Sequence, residues 1–118
     1  MDGRIEADEV LFEVASDNGQ RAILALDTGL TGQIAANEET IRRLGFPEAY
    51  DVINGELADG SNVELQVCYG VISWLGTRRV VQAILIGAGR GCIGMGLLQD
   101  VIVHIDTHAG VASIDRAV

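Results

Sequence analysis

Two apolar-rich segments near the start of the chain, EVLFEVAS (residues 9–16) and QRAILALD (residues 20–27), flank the polar turn sequence SDNG. An Asn-Gly pair between two such runs is a strong signal for a tight hairpin turn, because both residues tolerate positive φ. The pattern therefore predicts a β-hairpin near the N-terminus. Its second strand is expected to end at Asp27, directly after the apolar run Ile23–Leu26.

The segment NEETIRRLGF (residues 37–46) has a different pattern, typical of a short helix. Asn37 is a good N-cap, acidic residues occupy the first turn, and two arginines occupy the last turn, where they suit the helix dipole. Gly45 is placed to end the helix. Ile41 and Leu44, three residues apart, supply one apolar face.

The rest of the chain returns to strand-like patterns. Residues 54–87 predict strands joined by turns at Asp59-Gly60 and Leu75-Gly76, with a central strand over residues 78–86. VIVHID (residues 101–106) and VASID (residues 111–115) predict two final strands, joined by the turn THAG, and one helical turn is expected near residues 96–100. The sequence predicts a mostly β fold with one or two short helices.

Composition narrows the class of protein. The chain has 118 residues, 48% of them hydrophobic, which suits a single domain over residues 1–118 with one core. Its net charge is −9 and all eight of its basic residues are arginine. An acidic domain is a poor electrostatic match to nucleic acids and anionic membranes, so neither is expected as a partner.

The cysteines and the N-terminal sequence bear on the cellular location of the protein. Cys68 and Cys92 form no metal-ligand or redox spacing, and both lie among apolar residues, so they are predicted to be small buried hydrophobes. The N-terminal sequence lacks an apolar signal core, and no segment approaches the length of a membrane span. A cytoplasmic location is expected.

The stretch ALDTGLTG places a carboxylate, Asp27, where a buried strand ends, followed by Thr28 and Gly29. A carboxylate there is either a turn residue capping its own loop or a functional group. Three further features occur in order along the chain: a hairpin with the tip LADGS, the segment CIGMGLL, and two closing strands. With these features, the sequence resembles the retropepsin-like (clan AA) aspartic proteases over nearly its whole length. It is most similar to the small single-domain prokaryotic members, in which DTGxTG and ADGS occur together.

The resemblance implies an acid-protease-like closed β-barrel that is one half of a two-fold homodimer. It implies that the Asp27 residues of two chains share a proton and activate a water for hydrolysis of a polypeptide, with no metal and no cofactor. Thr28 would hydrogen-bond across the dimer, Gly29 would let the loop approach the substrate, and Ile93 and Gly94 would pack behind the loop. The implied substrate-binding residues are one on the loop and four in a flap: Leu30, Leu57, Ala58, Asp59 and Gly60.

The sequence also departs from the family pattern. Leu30 stands where many members carry Ala or Ser, and Met95-Gly96 replaces the Arg-Asp or Arg-Asn that often follows the second glycine. A supporting ion pair is therefore not expected at that position. The N- and C-terminal strands are expected to hold part of the dimer.

The same sequence has other interpretations. GRGCIG (residues 89–94) matches the dinucleotide-binding pattern GxGxxG and Asp106 ends a later strand, but too few residues follow for a crossover helix. His104 and His108 are four apart, but they fall on a strand and a turn rather than on one helical face. The remaining alternatives are a non-catalytic dimerisation or peptide-binding module with this fold, and a subunit whose site a different partner completes.

Overall fold

The computed structural model of the chain describes residues 1–117. Strands account for most of these residues, with one short helix, α1 (Glu38–Arg43), and one 3-10 turn over Met95–Leu97. The strands are β1 (Asp2–Glu6), β2 (Glu9–Ser16), β3 (Arg21–Leu26), β4 (Ile34–Ala36), β5 (Asp51–Glu56), β6 (Asn62–Trp74), β7 (Thr77–Leu85), β8 (Cys92–Ile93), β9 (Val101–Asp106) and β10 (Val111–Arg116).

All ten of these strands belong to one sheet, in the order β5-β6-β7-β4-β8-β3-β2-β1-β10-β9. An additional pairing joins β2 to β6, with Ala15 opposite Ser73. Six strands therefore form a closed circuit of pairings, in the order β2, β3, β8, β4, β7 and β6, and β6 pairs back to β2. The prediction of a mostly β fold is confirmed.

The predicted hairpins form at the expected turns. Asn18-Gly19 joins β2 to β3, and Gly19 has the positive φ of +86° that this turn requires. Leu75-Gly76 likewise joins β6 to β7, with both residues at positive φ. Strand β3 ends at Leu26, so Asp27 is the first residue of the following loop rather than the last residue of the strand.

Helix α1 is shorter than the predicted span of residues 37–46. It begins as expected, because the Asn37 side chain accepts a hydrogen bond from the Thr40 amide at 2.9 Å. It ends at Arg43, with Leu44 as C-cap, because Gly45 adopts a left-handed φ of +72° that ends the helical backbone. The helical turn near residues 96–100 also exists, but it begins one residue earlier, at Met95.

The pattern did not predict the separate strands β1, β4 and β8. Strand β1 is polar at alternate positions, while β4 and β8 have only three and two residues, too few to show a period. Strand β1 pairs on one side with β2 and on the other with β10 of the same chain. Its hydrogen bonds are therefore used within one chain. No helix within residues 1–117 is long and apolar enough to cross a membrane.

The core lies on one face of the central strands. A row of directly paired residues crosses β3, β8, β4, β7 and β6 on this face, and all its members are buried or packed against the core. Phe12, Leu24 and Trp74 add larger side chains to the same core, and Ile41 and Leu44 cover it from α1 and its C-cap. The row consists of Leu26, Ile93, Ile34, Ala83 and Cys68.

Candidate active site

The loop that begins at Asp27 is held at its first residue by both backbone and side chain. The Asp27 amide donates to the Ile93 carbonyl at 2.9 Å, and the Asp27 carbonyl accepts from the Leu30 amide at 3.1 Å. Its carboxylate oxygen Oδ1 accepts from the Gly29 amide at 2.9 Å. The Asp27 and Thr28 side chains are exposed to solvent. The hydrogen bond to Gly29 thus orients the carboxylate, while the side chain remains accessible to solvent.

A second segment, residues 93–96, backs this loop along its length. The Gly94 amide donates to the Gln33 carbonyl at 2.9 Å, and the Met95 amide donates to the Leu30 carbonyl at 2.7 Å. The Gly96 amide donates to the Gly32 carbonyl at 3.0 Å, which completes three successive contacts between the two segments. Backbone hydrogen bonds therefore determine the shape of the Asp27 loop.

Gly94 is required by this close approach rather than by its backbone angles. A Cβ atom at this position would lie 2.2 Å from the Gly32 carbonyl oxygen and 2.8 Å from the Leu30 carbonyl oxygen. The φ of Gly94 is −101°, which any residue can adopt. Only a residue without a side chain lets the two backbones pack at this distance.

Short strands bring the two segments together. Strand β8 pairs in parallel with the end of β3, with Ala25 opposite Cys92 and Leu26 opposite Ile93. The same strand pairs antiparallel with β4 on its other side, where Ile34 lies opposite Ile93. Because β8 lies between the strands on either side of the Asp27 loop, the residues that follow β8 necessarily lie behind that loop.

The face that carries Asp27 is not the core face. Side chains alternate between the two faces of a strand, so Ala25 lies on the same side as Asp27 and opposite to Leu24 and Leu26. The strand registers place six apolar residues directly opposite one another across β2, β3, β8, β4, β7 and β6 on this side. We call them the second row: Leu11, Ala25, Cys92, Ala35, Ile84 and Val67.

The second row connects the Asp27 loop to the β5–β6 hairpin. Val63 and Leu65 lie on the same side of β6 as Val67, and Ile53 of β5 pairs with Leu65. These three hairpin residues are partly buried, whereas their neighbours on the other face are exposed. The apolar face of the hairpin is thus continuous with the second row.

The tip of this hairpin contains the predicted flap residues. Its backbone closes on itself, since the Leu57 amide donates to the Ser61 carbonyl at 2.8 Å and the Gly60 amide donates to the Leu57 carbonyl at 2.9 Å. The Asp59 carboxylate accepts from the Ser61 hydroxyl at 2.6 Å and from the Ser61 amide at 2.9 Å. These Ser61 hydrogen bonds lower the pKa of Asp59. Leu57 remains 51% exposed at the tip.

The structure thus brings most of the candidate residues into one place. Asp27, Thr28, Gly29 and Leu30 form the loop, and Ile93 and Gly94 back it. The tip residues Leu57, Ala58, Asp59 and Gly60 lie at the far end of the hairpin, and the sheet joins them to the loop.

The segment after Gly94 is contacted by an arginine from β7. Met95 is 42% exposed, and Arg79 of β7 donates a hydrogen bond to the Gly96 carbonyl at 3.4 Å. Gln33 adds a second link from the loop to β7, because its side-chain oxygen accepts from the Gln82 amide at 2.7 Å. An arginine from a neighbouring strand therefore reaches the segment that lacks one of its own.

The prediction that both cysteines are buried is correct for Cys68 and wrong for Cys92. Cys68 lies in the core, whereas Cys92 is partly exposed in the second row, on the same side as Asp27. Partial burial raises the pKa of the Cys92 thiol, and the nearby Asp27 and Glu9 carboxylates raise it further. Strand alternation would have placed Cys92 on this face, but a two-residue strand is too short to reveal it.

The alternative motifs do not form sites in the structure. A bend containing Gly89 joins β7 to β8 directly, so GRGCIG has no crossover helix. His104 is exposed on β9 and His108 is exposed in the turn that follows, as predicted.

Comparison with known proteins gives a match at the level of structure. The sequence matches no protein-family model, and no curated protein matches it significantly. The crystal structure of a retropepsin-like aspartic protease from Rickettsia conorii matches with a TM-score of 0.64 and 19% sequence identity. The match covers 98% of this chain and 92% of that chain. This chain therefore has the fold of a retropepsin-like aspartic protease.

Proposed function

We propose that the protein is an aspartic endopeptidase that acts as a homodimer, with one Asp27 from each chain forming the catalytic pair. The observation that carries this proposal is the exposed Asp27 carboxylate, oriented by the Gly29 amide at the end of β3 and backed by residues 93–96. The fold shared with a retropepsin-like aspartic protease supports it. One chain supplies one such carboxylate, so a two-fold axis is needed to bring two together.

In the proposed reaction the two Asp27 carboxyls hold one proton between them, because two close carboxylates do not both ionise easily. The ionised carboxylate takes a proton from a water, whose oxygen bonds to the carbonyl carbon of the peptide. The neutral carboxyl gives its proton to the carbonyl oxygen. The tetrahedral gem-diol then collapses: the C–N bond breaks, the leaving nitrogen takes the proton that the first carboxylate gained from water, and one hydroxyl of the gem-diol returns its proton to the second carboxylate.

The other loop residues have supporting roles in this proposal. The Gly29 amide keeps one oxygen of Asp27 occupied, which leaves the other carboxylate oxygen for the water. Thr28, exposed beside it, hydrogen-bonds to the same loop of the second chain. Gly94 lets residues 93–96 pack closely enough to hold the loop still during the reaction.

The substrate in this proposal is a polypeptide in extended conformation. It lies between the Asp27 loop and the β5–β6 hairpin and adds a strand to the site. Leu30 contacts a substrate side chain from the loop. The hairpin tip closes over the peptide through its four residues, Leu57, Ala58, Asp59 and Gly60.

The test is cleavage of a mixed peptide library by the wild type and by Asp27→Asn. Asparagine keeps an oxygen that can accept from the Gly29 amide, so the loop and dimer should persist while proton transfer fails. We expect a loss of cleavage of about 10²-fold or more. Analytical ultracentrifugation of both proteins measures whether the dimer is retained.

Asp106→Asn is the matched control. The Asp106 carboxylate also accepts from the amide two residues ahead, that of His108 at 3.0 Å, but Asp106 is the last residue of β9, next to the β9–β10 turn. This variant should cleave as the wild type does. Turnover retained by Asp27→Asn would refute the mechanism. A wild-type dimer that cleaves no peptide would instead favour the non-catalytic module.

A further inference from the structure

Glu9, the first residue of β2, lies on the second-row face. Alternation puts Glu9 on the same side of β2 as Leu11, and Leu11 pairs with Ala25 at the end of the β2–β3 register. Asp27 follows Ala25 by two residues, and the Glu9 and Asp27 carboxylates both act on the thiol of Cys92, the residue that pairs with Ala25 on β8. A second carboxylate therefore lies near Cys92 together with the candidate catalytic one.

Arg90 connects this carboxylate to the segment before β8. Its Nε donates to Glu9 Oε1 at 3.3 Å, and the two side chains are 43% and 44% exposed. Arg90 directly precedes Gly91, whose carbonyl accepts from the Ala25 amide at 2.8 Å. The ion pair therefore spans β3, which lies between β2 and β8. It is a single contact, and within residues 1–117 the second oxygen of Glu9 has no hydrogen-bond partner.

The charge balance beside Asp27 is negative. Asp27 and Glu9 carry two carboxylates against the one guanidinium of Arg90, and the whole chain has a net charge of −9. Both carboxylates act on the Cys92 thiol and raise its pKa, after the larger effect of burial. The electrostatic potential near Cys92 therefore favours a cation over an anion.

The floor between these charges is small and apolar. Ala25 and Cys92 lie side by side there, in the middle of the second row. Lys and Arg side chains pack their aliphatic stems on such surfaces and keep the charged head at a polar rim. A stem lying on the partly exposed Cys92, beside the buried Ala25, would bring its head to the open oxygen of Glu9.

We infer that this face is a subsite for a basic side chain of the substrate, next to the bond that is cleaved, and that Glu9 is its specificity-determining residue. The inference rests on the proposed function, because it describes one subsite of the proposed peptide groove. Acidic side chains at the same position meet two carboxylates and are disfavoured.

The first experiment measures the charge selectivity of the face without any need for cleavage. Cys92 is labelled with a cationic reagent, 2-(trimethylammonio)ethyl methanethiosulfonate, and with its anionic 2-sulfonatoethyl counterpart. The ratio of the two rates cancels any change in thiol reactivity that both reagents share. We expect the cationic reagent to be favoured in the wild type, and Glu9→Gln to lower the ratio about fivefold at low salt. Cys92→Ser reports background labelling, since Cys68 is fully buried.

The second experiment maps the residues that flank cleaved bonds in a mixed peptide library. The wild type should enrich Lys and Arg beside the bond over Asp and Glu, and Glu9→Gln should reduce this enrichment about fivefold. Glu9→Lys should reverse it. Added salt should weaken the preference, since the subsite is partly open to solvent.

Glu13→Gln is the matched control for both experiments. Glu13 lies on the same face of β2, is similarly exposed, and forms an ion pair with Arg21 at 2.6 Å. Its register partner is Ile23, however, so it lies further from Asp27 along the strand. This variant should keep the wild-type labelling ratio and cleavage preference.

The outcomes separate this inference from the proposed function. Cleavage that depends on Asp27 but shows no preference for basic residues would overturn the subsite and leave the protease standing. A labelling ratio unchanged by Glu9→Gln would also overturn it. A labelling ratio that falls in Glu9→Gln, in a protein that cleaves nothing, would support the cation-selective face while the proposed function fails.

Discussion

Replacing Gly94 by Ala tests whether close backbone contact shapes the candidate site. The added Cβ would lie 2.2 Å from the Gly32 carbonyl oxygen, 2.8 Å from the Leu30 carbonyl oxygen and 2.7 Å from Leu30 Cγ. Real Cβ atoms essentially never approach other heavy atoms this closely, so the Asp27 loop must move away from residues 93–96.

The expected loss of stability in Gly94→Ala has two sources, overpacking and the loss of a backbone hydrogen bond. Overpacking a filled interior costs about 1–3 kcal/mol. The two carbonyl oxygens in question accept hydrogen bonds from Met95 at 2.7 Å and Gly96 at 3.0 Å, so they cannot swing away freely. Losing one such hydrogen bond costs about 1 kcal/mol more. We expect Gly94→Ala to lower the free energy of unfolding by about 3 kcal/mol and Tm by about 10 °C.

Urea unfolding followed by circular dichroism measures the free energy, and Gly87→Ala is the control. Gly87 lies in the bend between β7 and β8, its φ is not positive, and a Cβ there meets no atom within 4 Å. The control should change stability by less than about 0.5 kcal/mol. Equal stability of the two alanine variants would refute the reasoning, because the backbones would then not need to pack so closely.

Two further predictions concern local hydrogen bonds. Asn37→Ala removes the side chain that caps α1 at the Thr40 amide, and should lower the free energy of unfolding by about 1 kcal/mol in urea unfolding, whereas Asn37→Asp should keep most of it. Ser61→Ala removes a hydroxyl that favours the charged form of Asp59, so the Asp59 titration midpoint seen by NMR should rise. Because the Asp59 pKa is lowered in the folded protein, its contribution to stability is present above the unfolded pKa and is lost as pH falls through the folded one. An unchanged midpoint in Ser61→Ala would contradict this account.

Short sequence motifs were sufficient to predict the turns and the helix cap, because neighbouring residues alone determine these features. The Asn18-Gly19 and Leu75-Gly76 turns form where predicted, because each contains a glycine that adopts at little cost the positive φ that a tight hairpin needs. Asn37 caps its helix for the same kind of reason. The mostly β class followed from these signals, and the resemblance carried by the Asp27 loop and later motifs indicated the fold that the structural match supports.

The sequence by itself therefore determined the hairpins, the helix cap and the position of Asp27 after an apolar strand. Tertiary structure alone decided what lies around that carboxylate. Strand β8 has two residues and no local pattern, and it exists only because β3 and β4 pair with it from both sides. That pairing places Gly94 behind the Asp27 loop and puts Cys92, partly exposed, in the second row instead of in the core cluster. The Glu9–Arg90 contact joins distant parts of the chain in the same way, since it depends on strand order rather than on neighbouring residues.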